Sequence, residues 1–238
     1  MPDMKQNLKY LMLVLLLGLG CVACDSSDDE DDGPVMTNEE IDRAALKDLD
    51  AKFASQWTAA ERQQANSAAS ASYLSASEKE LFYYLNLMRL NPASFAETYA
   101  KAYTGDRGWT NGYAFDERKA SLLAELAALA PLPVLQPSEE LYDAADCYAT
   151  SAGPLGLTGH DRTATGCAEN PGLAECCDFG SCYSGYAIVM HLLIDAGETN
   201  AGLGHRRILL NDLYTRMGVA IRPHATYQRM AVLDFSNR

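Results

Sequence analysis

The sequence predicts an α+β fold, with helices first and a β-hairpin last, in one domain from about residue 75 to residue 238. One observation is an apolar stripe at the i, i+3, i+4 and i+7 spacing of a helix, formed by Leu81, Tyr84, Leu85 and Met88. Another is a pair of apolar or alternating runs, 216–221 and 228–235, which is typical of a hairpin. Between these regions, residues 153–182 are rich in glycine, cysteine and proline and predict a long irregular segment.

Residues 1–23 predict a lipoprotein signal peptide. Lys5 and Lys9 precede an apolar run of about ten residues, whereas a helix that spans a bilayer needs about 20. Small residues stand directly before Cys21 and Cys24, an arrangement that resembles bacterial lipoprotein signals, in which the N-terminal cysteine of the mature chain is acylated. Cys24 is the favoured lipidation site, because an acidic tract follows it at once, and Cys21 is the alternative.

Residues 24–38 predict an acidic tether, since six of the eight residues from 25 to 32 are acidic. The tract resembles surface-export signals of bacterial lipoproteins, and the alternative is an ordinary cleaved signal peptide followed by a solvated run of charge. The expected location is therefore outside the cytoplasm, as an outer-membrane or cell-surface lipoprotein bound to the membrane through its N-terminal lipid. The net charge of -13 argues against a nucleic-acid partner, because phosphate binding needs a Lys/Arg surface.

The remaining elements follow in chain order. Residues 39–74 predict one or two short helices over 39–64 and a low-complexity linker at 66–72. Ser77 and Ser138 are expected to be N-caps, because each stands before glutamates and an apolar stripe. The helices predicted from there on span 77–91, 93–103, 118–130, 138–148, 183–194 and 205–211.

Five cysteines follow residue 24 and are disulfide candidates: Cys147, Cys167, Cys176, Cys177 and Cys182. An exported compartment permits disulfides, and the spacing lacks the Cys-x2-Cys pairs of a structural zinc site. One or two local disulfides are therefore expected in the 153–182 segment. The adjacent Cys176 and Cys177 are expected to bond to different partners.

The chain has four histidines, of which His160 and His205 each follow a glycine in a predicted turn, with Glu169 between them in the sequence. Imidazole and carboxylate groups that converge from loops are typical of metal or acid–base sites. The alternative is that each histidine bonds the backbone of its own turn. His191 is expected to be a packing or surface residue of a helix, and His224 to be solvated in the hairpin turn.

Six short motifs occur in order along residues 77–235: Leu85-Asn-Leu-Met-Arg-Leu-Asn-Pro-Ala-Ser-Phe95, Gly159-His160, Ala168-Glu169-Asn170, Leu193-Ile-Asp-Ala-Gly197, Gly204-His-Arg-Arg-Ile-Leu-Leu210 and Met217-Gly-Val-Ala-Ile221. In this order they resemble the CAP superfamily, which groups cysteine-rich secretory, antigen 5 and pathogenesis-related 1 proteins, and the chain is similar to a bacterial member. The resemblance implies an α-β-α sandwich with an antiparallel sheet, and further strands within 153–182.

The same resemblance implies a cleft lined by two histidines and two acidic residues. By motif, His160, Glu169 and His205 match three members of this tetrad. Asp195 is the expected fourth member, and Glu198 is its alternative.

Three classes of function follow. The first is a binding protein without turnover, whose ligand is a lipid, a peptide, a protein or a divalent metal, because the sequence has no Gly-x-Ser-x-Gly and no His-Glu-x-x-His motif. The second is a zinc-assisted hydrolase or protease, in which His160 and His205 hold Zn²⁺, Glu169 is the base and Asp195 orients a ligand. The third is a structural or adhesion module that the tether holds off the membrane.

Overall fold

A four-stranded sheet lies between helices in the computed structural model, which describes residues 38–105, 114–180, 184–196 and 202–238. The predicted signal peptide, both lipidation candidates, Cys182 and Glu198 lie outside the described residues. The described residues form one compact unit. None of the helices in the described ranges combines the length and the hydrophobicity that crossing a membrane requires.

The strands are β1 (Gln136–Pro137), β2 (Ala174–Gly180), β3 (Arg216–His224) and β4 (Gln228–Ser236), in the sheet order β1-β3-β4-β2. Strands β3 and β4 form the predicted hairpin, in which Val219 lies opposite Leu233. Strand β2 pairs antiparallel with β4 at one edge of the sheet, and β1 pairs parallel with β3 at the other. The α+β class is therefore confirmed, whereas the sheet is mixed and not purely antiparallel.

The described part of the chain contains eight α-helices: α1 (Asn38–Phe53), α2 (Ala59–Ala65), α3 (Ala76–Leu90), α4 (Pro92–Phe95), α5 (Phe115–Ala128), α6 (Glu139–Leu155), α7 (Gly185–Ile194) and α8 (Gly204–Leu209). A π-helical turn, Ala96–Ala100, continues α4. The predicted helices are confirmed, although their bounds shift by a few residues and α6 is one turn or more longer. Helix α6 packs on one face of the sheet, against Met230 and Val232, while Ala231 and Leu233 face the core on the other side with α3 and α7.

Helix α3 begins one residue after Ser75, not at the predicted Ser77. The Ser75 hydroxyl accepts a hydrogen bond from the Glu78 amide (3.3 Å), and the Glu78 carboxylate accepts one from the Ser75 amide (2.7 Å). The same carboxylate accepts a hydrogen bond from the Ile221 amide of β3 (2.9 Å) and is only 1% exposed. The contact of Glu78 with β3 therefore favours Ser75 over Ser77 as the N-cap, and the local sequence does not contain this information. Ser138 caps α6 as predicted.

The segment 66–72 is packed against the rest of the fold, so the prediction of a linker is wrong. Ala68 is 1% exposed, and the Ser67 hydroxyl donates to the Leu135 carbonyl (2.7 Å). The Asn86 side chain of α3 donates to that hydroxyl (3.0 Å) and to the Leu135 carbonyl, and it accepts a hydrogen bond from the Leu135 amide. Small side chains, which suggest a flexible segment by composition, here permit close approach to α3.

Part of the segment 153–182 is regular, which corrects the prediction of an irregular stretch. Helix α6 continues to Leu155, with Pro154 inside its last turn. Residues Ala174–Gly180 form β2, because the edge of β4 offers them seven paired positions. The first and last portions of the predicted loop thus belong to the helix and the sheet that flank it.

Two tyrosines bind α1 to the rest of the fold. The hydroxyls of Tyr84 and Tyr99 both donate to one carboxylate oxygen of Asp50, at 2.7 and 2.8 Å. Burial and the Asp50 carboxylate raise the pKa of both phenols well above the usual range. Tyr84 and Tyr99 therefore stay protonated in the folded protein at a pH that ionises exposed tyrosines.

The free energy of unfolding is expected to fall as the pH rises above about 10, the pKa of tyrosine in an unfolded chain. Unfolded Tyr84 and Tyr99 lose their protons there and the folded ones keep theirs, so stabilisation that is complete below this pH is lost above it. Urea unfolding between about pH 8 and pH 11 measures the slope. Tyr99→Phe should make the slope shallower and Tyr227→Phe, at a 46% exposed position, should not. Equal slopes in all three proteins would contradict the prediction.

Candidate functional site

A cleft of about 470 Å³ lies beside the edge strand β2. Its walls come from the segment before β2, from β2 itself, from the C-terminal half of α7 and from the start of α8. The ionisable residues that line it are His160, Cys177, Asp178, His191, Asp195, His205 and Tyr227. Because side chains alternate along a strand, Cys177 and Asp178 reach this edge from opposite faces of the sheet.

At one side of the cleft, His160 pairs with Glu175 of β2. The two side chains meet at 2.7 Å between Nδ1 and Oε1, where His160 is largely exposed and Glu175 is nearly buried. The other oxygen of Glu175 forms an ion pair with the buried Arg162. Arg162 also pairs with the buried Asp234 (3.2 Å) and lies over the ring of Tyr148. Glu175 is thus held on one side by a guanidinium and on the other by an imidazole.

The two carboxyl groups that contact Arg162, those of Glu175 and Asp234, have pKa values shifted in opposite directions. Burial opposes the ionisation of Glu175, yet hydrogen bonds from His160 and Arg162 hold the pKa of Glu175 below its usual range. Burial, followed by repulsion from Glu175, raises the pKa of Asp234. Glu175 is therefore the charged member that faces His160, and Asp234 is the member that holds a proton more readily.

Elsewhere in the lining of the cleft, His205 pairs with Asp195. The Nδ1 atom of His205 lies 3.0 Å from Oδ1 of Asp195, which is 3% exposed. Asp195 ends α7 in the left-handed conformation (φ 57°), which aspartate tolerates better than most residues. Its second oxygen, Oδ2, is buried and has no hydrogen-bond partner among the residues that the structure describes.

A third imidazole and carboxylate meet between α7 and β2. His191 is buried, and its Nδ1 atom lies 3.4 Å from Oδ2 of Asp178. The same oxygen accepts a hydrogen bond from the buried Arg229 (2.5 Å). Burial opposes the ionisation of Asp178, but the Arg229 charge and then His191 lower the pKa of this aspartate to about 2. Asp178 is therefore fully charged at neutral pH.

His224 is 4% exposed, so the prediction of a solvated histidine is wrong. Its Nδ1 atom accepts hydrogen bonds from the amides of Thr226 and Tyr227, both at 3.1 Å, and its Nε2 atom donates to the Leu157 carbonyl (3.0 Å). The imidazole thus closes the hairpin turn and attaches the segment after α6 to it. Its role is structural.

Of the residues proposed for the tetrad, His160, Asp195 and His205 line the cleft together. Glu169 is exposed and is not among the lining residues. The carboxylate that meets His160 belongs instead to Glu175, which sequence reasoning missed. The sequence does contain a pattern that points to Glu175. Glu175, Cys177 and Phe179 are spaced by two residues, and residues at that spacing lie on the same face of a strand.

One disulfide, Cys147–Cys167, joins α6 to the segment before β2, which confirms that the candidate cysteines include a disulfide, although Cys147 lies outside the segment 153–182 in which the bridge is expected. Cys176 and Cys177 are both free and buried, so the prediction that they bond to separate partners is wrong. Both lie on β2, where the alternation of the strand sends one thiol into each face of the sheet. Burial raises the pKa of the Cys177 thiol well above its usual value.

Three ligand-type side chains of the described residues lie close enough to hold one metal ion: His160, Glu175 and Cys177, whose ligand atoms are all within 4.8 Å of one another. His205 and Glu169 are not part of this group. Comparisons of the chain with protein-family models, curated proteins and solved structures find no match. Membership of the CAP superfamily therefore stays a prediction from the motifs.

Proposed function

We propose that the protein is an exported CAP-type lipoprotein, with an α-β-α sandwich fold, whose cleft binds a divalent cation without turnover. The observation that carries the proposal is that His160 and His205, each paired with a carboxylate, line the same cleft. The predicted signal peptide and acidic tether would place this cleft at the outer membrane or cell surface.

Pairs of imidazole and carboxylate bind divalent cations in two ways. The carboxylate can orient the imidazole while the second ring nitrogen binds the ion, or both groups can bind the same ion. The Oδ2 atom of Asp195 is buried and has no hydrogen-bond partner among the described residues. This supports a cationic or hydrogen-bonding occupant, because an unsatisfied buried carboxylate oxygen is costly. The two imidazole–carboxylate pairs and the buried Oδ2 atom of Asp195 favour a cation such as Zn²⁺ over a lipid or a peptide.

Binding is better supported than hydrolysis. The hydrolase hypothesis assigns the general base to Glu169, and this residue is exposed outside the cleft. A base must lie within hydrogen-bond distance of the water that it activates, directly or through one further water. The position of Glu169 does not support that role.

The proposal predicts that Zn²⁺ binds to the purified protein and raises its Tm, because a ligand of the native state stabilises it. The His160→Ala/His205→Ala double variant should bind Zn²⁺ at least about tenfold more weakly, since ligand and orienting groups typically contribute that much. Calorimetric titration measures the affinity, and Glu169→Gln is the control, with unchanged affinity expected. Wild-type protein that takes up no Zn²⁺, or a double variant with full affinity, would refute the proposal.

A further inference from the structure

We propose that His160, Glu175 and Cys177 form a binding site for a thiophilic divalent cation such as Zn²⁺ or Cd²⁺. The ligand atoms are one imidazole nitrogen, one carboxylate oxygen and the thiolate sulfur. This inference rests on the proposed cation-binding function and deepens it, because it names a ligand set at the His160 side of the cleft and the class of ion. Neither His205 nor Asp195 belongs to this set.

The distances between the three ligand atoms suit a tetrahedral ion. Sulfur bonds zinc at about 2.3 Å and nitrogen or oxygen at about 2.1 Å, so tetrahedral angles separate a sulfur from a nitrogen or oxygen ligand by about 3.6 Å. In the structure, the Cys177 sulfur lies 3.6 Å from His160 Nδ1 and 3.6 Å from Glu175 Oε1. The nitrogen and oxygen are 2.7 Å apart and must separate to about 3.4 Å when they bind one ion. His160 can make this movement, because its side chain is 57% exposed.

The surroundings hold Glu175 in place for this role. Its Oε2 atom is engaged by Arg162, which leaves Oε1 directed at His160 and Cys177. Arg162 would repel a cation, but its guanidinium is already paired with the Glu175 carboxylate, and the Cys177 thiolate that forms on binding supplies a further negative charge to the ion. Glu175 thus binds Arg162 with Oε2, and its Oε1 atom is available to bind the ion.

Binding of the cation displaces protons from the ligand atoms. The ion takes the position of the proton between His160 and Glu175, and the imidazole remains neutral by carrying its proton on Nε2. The Cys177 thiol releases one proton to solvent as the sulfur–metal bond forms. Three protein ligands leave one of four positions for water or a cleft ligand. A thiolate selects Zn²⁺ or Cd²⁺ over Mg²⁺ and Ca²⁺, which prefer oxygen ligands.

Titration of the purified protein with Cd²⁺, with the Cys147–Cys167 disulfide left intact, tests the site by its thiolate-to-metal charge-transfer absorption. We expect a band that saturates at one equivalent and is unaffected by excess Mg²⁺. Cys177→Ala and Cys177→Ser should each abolish the band and weaken Cd²⁺ binding at least about tenfold. Cys176→Ala is the matched control, because its thiol lies on the same strand, is fully buried and points into the opposite face. It should keep both the band and the affinity.

The outcomes separate this inference from the proposed function. A wild-type protein that binds neither Cd²⁺ nor Zn²⁺ overturns both. Binding without the band, binding that Mg²⁺ competes away, or binding that both Cys177 variants retain overturns the thiolate site and leaves cation binding in the cleft intact. The serine variant keeps the test decisive if the alanine variant does not fold, because serine is close to cysteine in size.

Discussion

Replacement of Arg89 by alanine is expected to lower the free energy of unfolding by about 3–5 kcal/mol, because it removes a fully buried side chain that is the donor to four backbone carbonyls. Arg89 is fully buried in α3. Its guanidinium donates to the carbonyls of Pro133 (2.7 Å), Leu209 (2.8 Å), Asn211 (3.1 Å) and Tyr214 (2.9 Å). It therefore holds together the segments that lead into β1 and β3.

Urea unfolding of Arg89→Ala and Arg89→Lys measures this effect. The lysine variant should recover only part of the loss, because an ammonium group cannot reproduce the planar fork of donors. Arg207→Ala is the control, at an exposed position of α8, and should change stability by less than about 0.5 kcal/mol. An Arg89→Ala protein as stable as Arg207→Ala would show that the carbonyls find other donors.

Replacement of Gly218 by alanine is expected to cost about 3 kcal/mol or more, or to prevent folding, because overpacking between two backbones has little room to relax. A methyl group at this position of β3 would lie 2.1 Å from the Tyr142 nitrogen and 2.2 Å from the Leu141 carbonyl carbon of α6. To make room, α6 would have to move away from the sheet. No side-chain rotation can relieve a contact with backbone atoms.

Gly204→Ala is the matched control, since a methyl group at Gly204 meets no atom within 4 Å among the described residues outside its own helix and chain neighbours. Thermal unfolding should show a large loss of Tm for Gly218→Ala and no loss for Gly204→Ala. Equal Tm values would mean that α6 and β3 are not in contact at this point. The comparison therefore tests the packing of a helix on the sheet directly.

The helices and the hairpin could be predicted from the sequence, because their signals are local: apolar spacing, Ser138 as a cap, and two alternating runs around a turn. The errors lie where a tertiary contact decides the outcome. Ser75 and not Ser77 caps α3, because Glu78 also bonds β3. The segment 66–72 packs, because Asn86 supplies its hydrogen bonds. His224 is buried, because backbone amides of its own hairpin reach it.

The candidate site was predictable in part for a related reason. His160 and His205 stand in conspicuous Gly-His turns, and Asp195 closes the helix before His205, so each could be selected along the chain. Glu175 and Cys177 reach His160 because β2 pairs at the edge of β4, and that pairing joins residues about 50 to 60 positions apart in the sequence. The thiols of Cys176 and Cys177 stay free because the strand directs them apart.

The packing of Trp57 gives the protein a built-in optical reporter. Trp57 is 3% exposed and stands between α1 and α2, with its ring 6.2 Å from the ring of Tyr99. If α1 and α2 detached from the fold, this indole would enter water and its fluorescence emission would shift to the red, even with the sheet and the cleft intact. The chain has two tryptophans, so a Trp109→Phe protein would make the signal unique to this contact. Emission at Trp57, compared with far-UV circular dichroism, would then tell loss of the N-terminal helices apart from global unfolding.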